Sequence, residues 1–592
     1  MGKSFGDPGA VVDSRLRVLG TIGLRVIDAS VNLKRIGLLL LIILLDDTNA
    51  HKFERPRKSP WYRQSMYSKS IPDIQSLENM EIHIVKTLTS TLFSPEKKYE
   101  GFKNDPLLHS YMSDYYNSSG YSDIEDAIRK EDIHISNNPI CSYRLIHRVK
   151  FLLRDLVSQK LFRGTFRSLS WKIAYFFLQY SWPRMEDLET SAEKILRIQH
   201  VYDLGVENLT KGLISNVSTN CTLSSSHCYD IARMATKTEQ FASGIEWLEL
   251  AKEKAVEDKK SSIPFIEFSL WNALEQHNEE FDDEIKMDMH PLFFDREITH
   301  VFGDRRNATK LRTLQWEEYK GMKENFYVNI NYLGLCSGEN LQTEKEKSQL
   351  FCWYEFKMHL SLTVGPMRLE FLSRDPDVVQ IYEVLHEWEI QTMLTDCTPL
   401  LVEPPLSVVG YNTLHTMHFA PETSFRRSPA TCSCEPSNIK IIEKRLERVT
   451  GLAIEGTRSE ALRLLSYTTG GHNLPHFDGV PDMDQEKTPN IFRIASLMLY
   501  ICSRLNNVEK GGGTAFPSLG FNAKPVKGSV LLWFNFYPDG SEDSYTYHGG
   551  CPVALGVKWA ANKWINYGAQ TFKRQCGLIR DERLKYPVNN VI

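Results

Sequence analysis

The chain has 592 residues, too many for one hydrophobic core, so three or four domains are expected. Its 42% hydrophobic and 24% charged residues are those of ordinary globular protein. A net charge of −4 with no long basic run gives no ground for nucleic acid as a partner.

An apolar run at residues 36–45 (IGLLLLIILL) follows Lys34 and Arg35. As a helix it would rise only about 15 Å, roughly half a bilayer core. With its basic flank and the polar DDTNA behind it, the run fits a signal-peptide core better than a membrane span. A buried strand or helix is the other reading of the pattern. Residues 1–50 are therefore expected to be a leader with a signal peptide. Five Asn-x-Ser/Thr sequons, at Asn117, Asn208, Asn216, Asn220 and Asn307, suit a secreted or lumenal chain. So do eleven cysteines with no paired CxxC zinc pattern. The end of the chain, YPVNNVI, is not a KDEL-type signal, so retention in the endoplasmic reticulum would need another component.

Residues 46–66 are polar and basic. From Ser70, the residues Leu77, Met80, Ile84, Leu88 and Leu92 recur at three- and four-residue steps and predict a long helix. Such a helix could pair with another copy or lie on its own domain. Residues 96–135, rich in Tyr, Ser, Asp and Lys, read as loop, and 140–182 as mostly helical. Within the latter, residues 168–180 (SLSWKIAYFFLQY) are too short to cross a membrane.

Three apolar stripes over residues 186–260 predict paired helices: Leu188, Ala192, Ile195 and Tyr202; then Tyr229, Ala232 and Thr236; then Phe241, Ile245 and Leu248. They suit a tetratricopeptide-like unit or any small helical domain. Residues 265–330 are charged and mixed and read as a connector. From about Leu360, short strand-like runs separated by turns predict an all-β core. The clearest are residues 493–501 (RIASLMLYI), 528–536 (GSVLLWFNF) and 558–565 (KWAANKWI).

The chemistry-bearing segment is residues 466–480 (SYTTGGHNLPHFDGV). His476 and Asp478 are two residues apart, and on a strand such residues face the same side and can reach one metal. His548, in SYTYHGGCP, supplies a third ligand at the start of another predicted strand. Two histidines and one carboxylate on one face of an ion form the facial triad of non-haem iron(II) oxygenases. A His-x-Asp pair alone is a weak signal in a chain with 17 histidines. Lys558, ten residues after His548 in an apolar strand end, suits the carboxylate of a cosubstrate. A lysine reaching to solvent is the plain alternative. The run from Gly511 to Thr514 gives a close backbone approach ending in a hydroxyl, or else an ordinary hairpin loop.

Together these residues resemble the catalytic domain of collagen prolyl 4-hydroxylase α subunits. The resemblance runs from Tyr467 to Cys576, through Gly470-Gly471, Pro475 to Asp478, Arg493 to Ala495, Gly512 to Pro517, Lys527-Gly528, Trp533 to Asn535, His548 to Pro552, Gly556 to Trp559 and Asn562 to Trp564. It implies that His476, Asp478 and His548 hold iron. It implies that Lys558 binds the distal carboxylate of 2-oxoglutarate, with Thr514 and Tyr467 in that pocket and Trp564 and Arg493 in support. It implies proline 4-hydroxylation in collagen-like X-Pro-Gly sequences, with O₂ as cosubstrate, ascorbate as cofactor, and succinate and CO₂ as products. It places the chain in the endoplasmic reticulum lumen beside a protein disulfide isomerase β subunit in an α2β2 tetramer. Two disulfides are implied by position, Cys336 to Cys352 and Cys551 to Cys576.

The expected architecture is multidomain α + β: a leader over 1–50, an N-terminal helical dimerisation region over 51–180, and a tetratricopeptide-like peptide-binding domain over 181–262. A connector over 263–355 and a double-stranded β-helix (jelly-roll) oxygenase domain over 356–580 complete it. Residues 192–204 and 228–235 resemble the family's peptide-binding helices, and residues 160–180 fall outside the resemblance. Where relatives carry tyrosines near the third helix, this chain reads EQFASGIEWLE. Two other readings follow: an oxygenase acting on a non-collagen secretory protein, or a non-catalytic peptide-binding paralogue.

Overall fold

The computed structural model describes residues 65–92, 104–119, 135–214, 217–218, 221–238, 240–257, 262–281, 326–403, 429–479, 493–501, 508–570, 573 and 582–587. The expected signal peptide, the sequons at Asn216, Asn220 and Asn307, and Cys576 lie outside them. Among the described residues, no helix is long and apolar enough to cross a membrane. The chain divides into two compact units, one of residues 1–63 and 157–181 and one of residues 64–156 and 182–592. In the first, two short helices, Lys160–Thr165 and Arg167–Gln179, bury Phe162, Leu169, Ile173 and Phe177.

The second unit opens with α1 (Ile71–Leu92), whose Leu77, Ile84 and Leu88 are buried within the chain. The stretch read as loop contains a helix, α2 (Pro106–Ser119). Its polar composition hides a stripe of Leu108, Tyr111 and Tyr115, all buried, at helical spacing. Arg148 of α3 (Pro139–Arg148) forms a buried pair with Glu81 of α1 at 2.6 Å and reaches Asp114 of α2 at 3.1 Å. This charge cluster pins the three helices together. It is a costly device unless each group is hydrogen-bonded, and Tyr111 and Arg144 complete it.

Four longer helices follow, α4 (Met185–Tyr202), α5 (Ser225–Lys237), α6 (Phe241–Glu257) and α7 (Ile263–Phe281). The link between α5 and α6 is short, so they lie side by side. A small residue is needed there: a Cβ on Gly244 would sit 3.0 Å from the Thr236 side chain. Trp247 of α6 is fully buried and donates to Gln199 of α4 at 2.8 Å. α7 occupies part of the expected connector and packs on α6.

His147 of α3 and His227 of α5 meet at 3.4 Å, among Asp114, Arg144, Arg148 and Asp230. Burial, only partly offset by the Asp114 carboxylate, drops His147 from 6.5 to about 4. Burial and the neighbouring His147 and Arg144 hold His227 well below the ordinary imidazole range. Between these values and 6.5 the unfolded chain binds more protons than the folded one. Stability is therefore complete above pH 6.5 and declines as pH falls toward 4, by up to roughly 3 kcal/mol for His147. The melting temperature should fall between pH 7 and pH 5, and His147→Gln should flatten that fall. An equal fall in both proteins would contradict the assignment.

The β-rich part is antiparallel throughout. Its eight-stranded sheet comprises β1 (Cys352–Glu355), β2 (Met367–Arg374), β3 (Asp377–Ile381), β4 (Ala430–Cys434), β5 (Leu462–Tyr467), β7 (Arg493–Tyr500), β11 (Val530–Phe534) and β14 (Lys558–Asn566). Their spatial order is β1-β2-β3-β11-β7-β14-β5-β4. A smaller sheet is ordered β10-β9-β12-β6, from β6 (Asn473–His476), β9 (Thr514–Phe516), β10 (Phe521–Ala523) and β12 (His548–Gly550). The strands β8 (Val508–Gly511) and β13 (Val553–Gly556) pair separately.

Alternation along the central strands divides the core. Leu497, Leu499, Leu532, Trp559 and Ala561 face helices α9 (Glu387–Cys397) and α10 (Ile439–Thr450). Met498, Tyr500, Leu531, Trp533 and Ala560 face the smaller sheet with Phe516 and Phe521. The start of α1 belongs to this domain too. Met66 and Ile71 lie in its helix-side core, and the Ile71 amide donates to Ser466 at 3.0 Å.

The disulfides differ from those implied by the resemblance. Cys336, on α8 (Phe326–Ser337), pairs with Cys551, not Cys352. α8 packs on β9 and brings the two Cα atoms to 5.4 Å, whereas Cys352 is exposed on the sheet's edge strand and unpaired. Cys551, being taken, does not pair with Cys576. Two further bonds, Cys141 to Cys221 and Cys397 to Cys434, tie α3 to the segment before α5 and α9 to β4.

Candidate active site

Strand pairing brings the candidate ligand residues together. β12 runs antiparallel to β6 with His548 directly opposite His476. Asp478 lies just past the end of β6, not on the strand, yet turns inward and is 3% exposed. One ligand atom from each of the three side chains lies within 4.8 Å of the others, the one such group among the described residues. His476 Nε2 stands 3.5 Å from Asp478 Oδ1, and His548 Nε2 stands 3.7 Å from Oδ2. These gaps are too long for hydrogen bonds and suit donors that share an ion.

The supporting contacts fix which atoms are offered. His476 Nδ1 meets the Leu474 carbonyl at 2.8 Å, and His548 Nδ1 meets the Thr546 carbonyl at 3.0 Å. A carbonyl only accepts, so both Nδ1 atoms donate, and each Nε2 is the ring nitrogen left to face an ion. Asp478 Oδ2 accepts from Ser496 Oγ at 2.8 Å and Trp564 Nε1 at 2.9 Å, which leaves Oδ1. Burial would raise the Asp478 pKa, but the two imidazoles and Arg493 outweigh it and hold the carboxyl far below its usual range. Burial drops His548 to about 4, so this imidazole is neutral at pH 7. Two imidazoles and a carboxylate are the donor set that suits iron(II).

Beside them lies a second constellation. Lys558 opens β14 opposite Tyr467 of β5 and is 1% exposed, which rules out the solvent-reaching alternative. Its ammonium sits 5.2 Å from the Tyr467 ring centre and 5.5 Å from that of Tyr500. Tyr500 shares a 2.8 Å hydrogen bond with Thr514, which is fully buried. Thr514 pairs with Gly550, two residues from His548. A Cβ on Gly550 would come 3.9 Å from the Tyr467 hydroxyl, so the cluster is contiguous with the ligand strand. Trp533 and Phe516 pack on the His548 ring at 4.6 and 5.5 Å and give it an apolar wall.

Two family descriptions match this sequence. "Prolyl 4-Hydroxylase alpha-subunit, N-terminal region" covers residues 70–216, and "2OG-Fe(II) oxygenase superfamily" covers residues 462–566. Prolyl 4-hydroxylase subunit alpha-1 of Caenorhabditis elegans is 26% identical over 86% of this chain and 90% of its own length. The human alpha-1 subunit is 24% identical over 86% of this chain and 95% of its own. The chain is a homologue of the prolyl 4-hydroxylase α subunits. A solved viral collagen prolyl hydroxylase from Paramecium Bursaria Chlorella virus-1, in complex with 2OG, aligns at 22% identity and a TM-score of 0.24 over 32% of this chain and 95% of that one.

In this homologue the residues singled out from sequence all lie at the two constellations: His476, Asp478 and His548 at the first, Lys558, Thr514 and Tyr467 at the second. Trp564 and Arg493 stand behind Asp478, with the Arg493 guanidinium 3.8 Å over the indole and paired to Glu460 at 2.5 Å. Sequence reasoning missed Ser496, Asn535, Glu460 and Tyr500. Ser496 left a signal, since it is the one polar residue in the run from Ile494 to Leu499 of a central strand, and such a group needs a partner. Asn535 donates to it at 3.1 Å. Replacing Ser496 with alanine, or Trp564 with phenylalanine, removes one of the two donors to Asp478 Oδ2. Each should weaken iron(II) binding by about 10- to 100-fold without unfolding the protein. Metal content after dialysis against a graded chelator measures this, and unchanged content in both would contradict the role.

Proposed function

We propose that this chain is the catalytic α subunit of an iron(II)- and 2-oxoglutarate-dependent oxygenase that converts peptidyl proline to 4-hydroxyproline. The observation that carries the reading is the convergence of His476, Asp478 and His548 on one point beside a buried, tyrosine-flanked Lys558. The names of its homologues agree.

His476 and His548 would hold the iron through Nε2, and Asp478 through Oδ1. Iron with 2-oxoglutarate and O₂ supplies the oxidising power to hydroxylate a C–H bond, with succinate and CO₂ as products. The protein's own part is orientation and shielding. Ser496 and Trp564 keep the Asp478 carboxylate from rotating. Lys558 anchors the far carboxylate of the keto acid, and Thr514 and Tyr467 shape the pocket around it. Trp533 and Phe516 exclude water from the His548 side.

Collagen-like X-Pro-Gly sequences are the substrate this reading favours, with ascorbate as reductant. It places the enzyme in the endoplasmic reticulum lumen, where a protein disulfide isomerase β subunit would retain it in an α2β2 tetramer. The β-rich part is read as a double-stranded β-helix, and α4 to α6 as the tetratricopeptide-like peptide-binding domain. One observation favours a different peptide. In the segment where tyrosines were expected, Phe241 and Trp247 are both buried, at 7% and 0% exposure, and offer no ring to a proline-rich strand. A secretory substrate other than collagen would then apply. Turnover on (Pro-Pro-Gly)n against other proline-rich peptides decides between them. Succinate release equal in wild type and His476→Ala would remove the catalytic claim and leave the non-catalytic peptide-binding reading.

A further inference from the structure

Helix α4 touches two layers at once. Its Gln199 receives Trp247 from the neighbouring helix α6. Three other side chains of the same helix reach the oxygenase sheets. Lys194 Nζ donates to Thr468 Oγ1 at 2.6 Å and to the Ser68 carbonyl, and Thr468 donates its own proton to that carbonyl at 2.7 Å. Arg197 donates to the Gly470 carbonyl at 3.0 Å, and Tyr202 to the Pro552 carbonyl at 2.5 Å. Thr468 and Gly470 form the turn between Tyr467, which ends β5, and β6, which carries His476. Pro552 follows β12, which carries His548. The three donors therefore grip the connections that flank the candidate metal ligands.

The contact is close. Gly470 has φ of 70°, and a Cβ there would lie 2.5 Å from Lys194 Cβ. The same turn is tied to β13, with the Gly470 amide on the Val553 carbonyl at 2.7 Å and the Val553 amide on Gly471 at 3.1 Å. Lys194 is 3% exposed, with Arg197 and Lys69 adding like charge, so holding an ammonium here is unfavourable unless its hydrogen bonds are needed. A methionine would fill the same space without that cost. What lysine adds is the fixed position of Thr468.

We propose that Lys194 is a positioning residue: through Thr468 it holds the turn that sets Tyr467 against Lys558 and begins the His476 strand, so that the cosubstrate pocket depends on the helical layer. This rests on the function proposed above. The test uses full-length protein in its assembled complex with K194M, T468V, the double variant and K194R. Hydrogen exchange over residues 467–476 should rise about tenfold in K194M and T468V while α5 and α6 stay unchanged. The KM for 2-oxoglutarate should rise about tenfold with kcat at saturation held, the double variant no worse than either single, and K194R partly restored. Unchanged exchange over that turn in folded K194M, or fully additive effects, would overturn the proposal. If the wild type releases no succinate, the functional reading fails by itself, and the exchange measurement still decides the role of Lys194.

Discussion

His548→Ala is expected to reduce succinate release by at least about a thousandfold and to strip the protein of iron, because only two of three facial ligands would remain. His548 is fixed by more than its metal-facing nitrogen. Its Nδ1 is held by the Thr546 carbonyl, its ring is packed by Trp533 and Phe516, and its strand register sets it opposite His476. Truncation also opens space against those rings, which by itself costs stability. His548→Gln keeps most of the volume and separates the two effects. It should fold like wild type, yet bind iron weakly and turn over no faster than the alanine variant. Stoichiometric iron with turnover within tenfold of wild type in His548→Gln would show that this residue is not a ligand.

Lys558→Met should raise the KM for 2-oxoglutarate by about 100-fold or more, since a carboxylate deprived of a buried counter-charge loses a charge-assisted bond. Iron content should not change, because Lys558 is not among the metal-facing atoms. The fold should hold, because methionine fills a similar buried volume. Lys558→Arg should fall between the two: the charge persists, but a planar guanidinium fits poorly between the Tyr467 and Tyr500 rings. Kinetics at varied 2-oxoglutarate with iron held saturating measure this. A variant whose KM for the peptide rises while that for 2-oxoglutarate stays put would reassign the lysine to the substrate side.

The β core was legible because RIASLMLYI and KWAANKWI are short strand-like runs bounded by turns, and the sheet buries both of their faces: Leu497 and Leu499 to one side, Met498 and Tyr500 to the other. The candidate metal group, which the structure brings together, could be picked out because the chemistry needs scarce residue types in order. What stayed hidden depends on contacts between distant segments. α2 was masked because two of the three residues in its buried stripe are tyrosines, Tyr111 and Tyr115, set among exposed polar residues. The Cys336 to Cys551 bond spans 215 residues, and no local spacing reveals which helix will lie over which strand. The entry of Met66 and Ile71 into the oxygenase core, and the grip of Lys194 on Thr468, are of the same kind. Tyr500 looked like one more aromatic in a strand until its hydroxyl met Thr514.

The most direct test is mass spectrometry of a proline-rich peptide incubated with the purified complex, iron(II), 2-oxoglutarate and O₂. The account predicts a gain of one oxygen atom on proline, matched by succinate and absent with His476→Ala. A peptide left unmodified by iron-loaded wild type, or modified equally by the variant, would contradict it.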